Sequence, residues 1–194
     1  MSSLSPDYYQ MLELLGRAMH TLRTKYKHRA VLVGGAAVEL YTEGRYSTGD
    51  FDVHFEDTRL FSKVLNKFGF INESGPGKLL NRWYHPECIT YGIQVVSGYL
   101  FDGLSETNRL RLIKIGPDAD LIIPSIEDLI ADRLGQYCSV SRNSDQSSLE
   151  QAKLLVSLAE TIDWAYLGLR VSQEQGDISL LKEARERRKE VHGD

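Results

Sequence analysis

Asp50 and Asp52 are the residues of this sequence best suited to chemistry. They stand two apart in Asp50-Phe51-Asp52-Val53-His54-Phe55, where polar and apolar residues alternate as along a strand. Phe51, Val53 and Phe55 then share one face, and Asp50, Asp52, His54 and Glu56 share the other. Two carboxylates side by side repel each other, and a divalent cation relieves that repulsion. Hard oxygen ligands favour magnesium, with manganese as an alternative.

Three neighbouring elements must position this pair. Val31 to Val33 form a short apolar strand, which Gly34 and Gly35 end. Two glycines also let the backbone come close to a ligand. Ala36 to Tyr41 is rich in helix formers, and Gly44 can close that helix in the left-handed conformation of a C-terminal cap. The pattern is strand, glycine turn, helix, then the strand with the carboxylates.

The rest of the chain divides by period. Residues 7–26 place Tyr8, Met11, Leu12, Leu15, Ala18, Met19 and Leu22 on one helical stripe. Residues 59–68 repeat a helical pattern that Gly69 stops, and 73–77 read as a turn. Residues 82–84 and 91–99 read as paired strands around a turn at 85–87. Residues 100–108 read as loop, and 109–115 and 121–123 as short strands. Beyond Pro124 the chain reads as about four helices, with Ser125, Asp163 and Asp177 as start signals. This is an α+β protein. Residues 1–124 are expected to form an α/β core with an N-terminal helix, and 125–194 a helical region packed on it.

Composition narrows the function classes. The chain has 194 residues, 42% hydrophobic and 26% charged, as in an ordinary globular protein. A net charge of −4 argues against a uniformly basic nucleic-acid binder. Cys88 and Cys138 have no ligand-like spacing, so neither a zinc site nor a disulfide framework is expected. With no secretory leader and no membrane-length apolar run, the expected location is the cytoplasm. Trp83, Tyr84, Tyr91 and Trp164 read as packing residues, and the charged run 182–190 as a solvated helix face.

Gly34, Gly35, Ala36, Arg45, Ser47, Thr48, Asp50 and Asp52 together resemble the motif of the nucleotidyltransferase superfamily that includes DNA polymerase β. The likeness is nearest to the AbiEii-type and minimal nucleotidyltransferases of bacterial toxin–antitoxin systems. It extends to 123–134, similar to the helix that follows the sheet in those families, and covers about residues 28–160. The resemblance implies a nucleotidyltransferase fold: a small mixed sheet with helices packed on one face, then a helical part. It implies a magnesium-dependent transfer of a nucleoside monophosphate from a nucleoside triphosphate to a tRNA end or a protein hydroxyl. Asp50 and Asp52 would be the catalytic metal ligands. Gly34 and Gly35 would face the phosphates, Ser47 or Thr48 would offer a hydroxyl to a phosphate oxygen, and Arg133 would neutralise triphosphate charge. The superfamily usually has a third carboxylate on a neighbouring strand, and here Gln94 holds that slot. An amide carries no charge and is no base. Glu56, Asp102 or His54 could supply a substitute, and the sequence does not choose among them. The alternative function is a catalytically impaired member that binds nucleotide, RNA or a toxin or antitoxin partner.

Overall fold

The computed structural model describes residues 4–73, 82–96, 99–139 and 146–192, which divide into two compact units. The first is Met1–Tyr99 with Leu110–Pro124, and the second is Leu100–Arg109 with Ser125–Asp194.

The apolar stripe of the first helix organises the first unit. Helix α1, Pro6–Lys25, begins where the Ser5 hydroxyl accepts the Tyr8 N–H. Every residue of its expected stripe is buried. It is followed by β1 (Val31–Val33), α2 (Gly34–Tyr41), β2 (Asp50–His54) and α3 (Thr58–Lys67). Then come β3 (Ile71–Asn72), β4 (Arg82–His85), β5 (Cys88–Val96), β6 (Arg111–Gly116) and β7 (Ala119–Ile123). Five strands form one mixed sheet in the order β1-β2-β5-β4-β3, with β2 and β5 parallel. A separate hairpin joins β6 to β7. Phe51, Val53, Ile93, Val95 and Trp83 put their side chains into the core that α1 and α3 fill. The opposite alternation leaves Asp50, Asp52, His54 and Gln94 half-buried. One sheet face is therefore apolar and covered, and the other is polar.

Several boundaries shift. Helix α2 starts at Gly34 itself, two residues before its expected start. Strand β5 starts at Cys88 instead of Tyr91, because the turn after β4 is shorter than composition implied. Residues 74–77 of the expected turn and 97–98 of the expected strand lie outside the described residues.

The second unit is helical: α4 (Ile126–Ser139), α5 (Ser147–Leu158), α6 (Trp164–Gln173) and α7 (Lys182–His192). Its centre is a buried polar cluster. Asp128 accepts hydrogen bonds from the Ser125 hydroxyl at 2.7 Å, the Tyr166 hydroxyl at 3.0 Å and Arg170 Nε at 2.7 Å. Residues 100–108, expected as loop, contain most of two 3₁₀ turns, and Arg109, expected to begin a strand, ends the second of them. Arg109 stacks on the Tyr166 ring, 3.7 Å from its centroid, and pairs with Asp163. These bonds explain why the segment belongs to the helical unit. Asp163 caps α6 by accepting the Tyr166 N–H. Among the described residues no helix is long and apolar enough to cross a membrane.

Candidate active site

The site is built where β1, β2, β5 and β4 lie side by side. Asp52 pairs with Val33 across β1 and with Gln94 across β5. Asp50 pairs with Gly92. Parallel pairing in register puts the Asp52 and Gln94 side chains on the same face. Gln94 is paired in turn with Arg82 of β4.

The glycine turn meets Asp52 directly. Gly34 has a φ of +64°, a backbone conformation that side chains rarely adopt. A Cβ there would lie 3.2 Å from the Asp52 Cβ and would run into its carboxylate. At Gly35 a Cβ would lie 2.6 Å from the Thr48 hydroxyl. The two glycines thus let the start of α2 lie against Asp52 and Thr48. The first α2 amide groups carry the partial positive charge of a helix N-terminus.

The other sequence-derived candidates are placed as follows. The Thr48 hydroxyl donates to the Asp50 carbonyl at 3.0 Å, and its N–H donates to Glu39 at 2.6 Å, so both groups brace the turn. Ser47 is exposed. Arg133 belongs to the helical unit, where it is nearly buried and its guanidinium bonds Asp132 and Gln151. Asp102 lines a cavity of about 240 Å³ in that same unit, with Leu104, Cys138 and Glu174. His54 and Glu56 line a cavity of about 280 Å³ with Lys27, His28 and Arg29. Burial pushes the His54 imidazole below its ordinary value, against the opposing pull of Glu56. Among the described residues no three His, Cys, Asp or Glu side chains group as a metal site.

Sequence reasoning missed two residues. The first is Arg82, whose Nη2 lies 2.9 Å from Asp50 Oδ1. Alternation along Arg82-Trp83-Tyr84-His85 could have put it on the polar face, but not against Asp50. The second is Glu39, only 2% exposed. Burial pushes its carboxyl above the ordinary value, opposed by the Thr48 N–H. The folded state thus holds this proton more tightly than the unfolded chain. The stability Glu39 contributes is complete below the unfolded value of about 4.3 and is lost as pH rises through the folded one. We expect Glu39→Gln, which keeps an oxygen acceptor, to melt above the wild type at neutral pH. The gap should close near about pH 4. A wild type that melts higher at neutral pH would sink this account.

A glycine turn, a helix and two aspartates on one strand of a mixed sheet define a nucleotidyltransferase fold, and solved structures agree. A nucleotidyltransferase-like antigenic protein from Paracoccidioides brasiliensis superposes with a TM-score of 0.57 at 15% identity, over 98% of each chain. JHP933 from Helicobacter pylori gives 0.58 at 14% identity, over 98% of this chain and 94% of that one. ANT(2")-Ia in complex with adenylyl-2"-tobramycin gives 0.52 at 13%, over 88% and 98%. The chain belongs to the family described as "Nucleotidyltransferase of unknown function (DUF6036)", which matches residues 9–191. No curated protein matches it in sequence.

Proposed function

We propose that this chain transfers a nucleoside monophosphate from a nucleoside triphosphate to a hydroxyl, on a tRNA end or on a partner protein, in a toxin–antitoxin setting. The observation that carries the transfer is the approach of Asp52, on the Asp50 strand face, to the Gly34 turn. The motif likeness to toxin–antitoxin nucleotidyltransferases supports the setting and the acceptor class. The solved neighbour with adenylyl-2"-tobramycin also holds a nucleoside monophosphate joined to its acceptor.

The donor set fits a hard divalent cation. Asp52, Gln94 and the second oxygen of Asp50 are all oxygen donors on one face. Magnesium bound there would neutralise phosphate charge and polarise the α-phosphate. The chain's own groups do the rest. Gly34 and Gly35 keep side chains away from the triphosphate, and the α2 amides attract its oxygens. The acceptor oxygen bonds to the α-phosphorus and the bond to the β-phosphate oxygen breaks, releasing pyrophosphate. The hydroxyl proton leaves to an aspartate or to water, since Gln94 is no base.

The test is direct. The protein is incubated with each α-labelled triphosphate, magnesium, and either total tRNA or a co-encoded partner protein. Label on the acceptor supports the proposal. Triphosphate binding without transfer to any acceptor would favour the second reading, a binding module, which Gln94 and the Arg82–Asp50 pair speak for.

A further inference from the structure

The Arg82 side chain, on β4, crosses strand β5 to reach Asp50 on β2. Its Cα partner on β5 is Gln94, yet its guanidinium ends at Asp50 Oδ1 on β2. The path runs over Gly92, where a Cβ would lie 2.7 Å from Arg82 Nε and 2.8 Å from Asp50 Oδ1. Any other residue at 92 would obstruct the pair. The Gly92 N–H donates to the same oxygen at 3.0 Å, so Oδ1 is doubly engaged. Arg82 Nε is buried and has no hydrogen-bond partner among the described residues. An unsatisfied buried donor costs free energy.

We infer that Arg82 is a built-in counter-cation of the aspartate pair, a positioning residue that competes with the divalent cation for Asp50. This rests on the reading of Asp50 and Asp52 as a metal site. Two carboxylates and one guanidinium leave a single negative charge, and Gln94 adds none. Such a site holds one divalent cation weakly instead of two tightly. The pair is displaceable, because the Arg82 and Asp50 side chains are 32% and 38% exposed and partly screened.

The test uses the metal alone, without nucleotide, so its failure is separate from a failure of transfer. Manganese binding to the intact protein is titrated by the electron paramagnetic resonance signal of the free ion, and melts are recorded in EDTA and in manganese. Arg82→Gln should bind manganese at least about tenfold more tightly than the wild type, since a repelling cation is gone. It should melt lower in EDTA and recover in manganese. Arg82→Lys keeps the charge and should bind manganese like the wild type. Adding Asp50→Asn to Arg82→Gln should remove the gain. If Arg82→Gln binds manganese no more tightly, or its lost stability does not return with manganese, Arg82 is only a structural tie and the inference is overturned. Two tight manganese sites in the wild type would overturn it as well.

Discussion

Replacing Asp52 by Asn should cut label transfer by at least about a hundredfold, the scale on which losing one electrostatic contact to the reacting group is felt. Asn keeps the shape and one oxygen but loses the charge a divalent cation needs. Asp52 meets the Gly34 turn and is paired across β2 and β5 with Gln94, which carries no charge. The apolar packing should survive, because Asp52 is half-buried on the polar face while Phe51 and Val53 carry the core. Asp50→Asn should lower transfer too, but it also weakens the bond to Arg82. Asp50→Asn should therefore also lower the melting temperature. Transfer assays beside thermal melts read both. An Asp52→Asn protein that transfers label at the wild-type rate would remove Asp52 from the chemistry.

The largest loss of stability should come from Arg170→Met. Arg170 and Asp128 are both 0% exposed, joined at 2.7 Å. Removing the guanidinium leaves a buried carboxylate held, among the described residues, by the Ser125 and Tyr166 hydroxyls. Breaking a buried pair from one side costs about 3–5 kcal/mol. Arg170 also loses its bonds to Gln173 and Glu174. The double variant Asp128→Leu with Arg170→Met should be less destabilised than the two single variants added together, because neither charge is then left alone. Urea unfolding of the two single variants and the double gives the coupling. Additive losses would show that the pair is not energetically linked.

Much of this protein was legible in its sequence because the relevant signals are local. The α1 stripe, the alternation of β2, the left-handed Gly44 and the Ser125, Asp163 and Asp177 caps each involve residues a few positions apart. The placement of Asp50 and Asp52 on the polar face follows from a period of two. The neighbourhood of Asp50 does not. The meeting of Arg82 with Asp50 depends on the register of β2 against β5 and of β5 against β4, and on the missing side chain at Gly92. Residues 32 positions apart meet only once three strands have paired. The same holds for Glu39, which looks like an ordinary helix residue until the turn that follows folds back and offers it the Thr48 N–H. It holds for residues 100–108, whose composition reads as loop, and for Arg109, which reads as a strand start but reaches Asp163 and Tyr166 instead. Local periodicity determined which side chains share a face; only the pairing of distant strands and helices decided which charges those side chains meet.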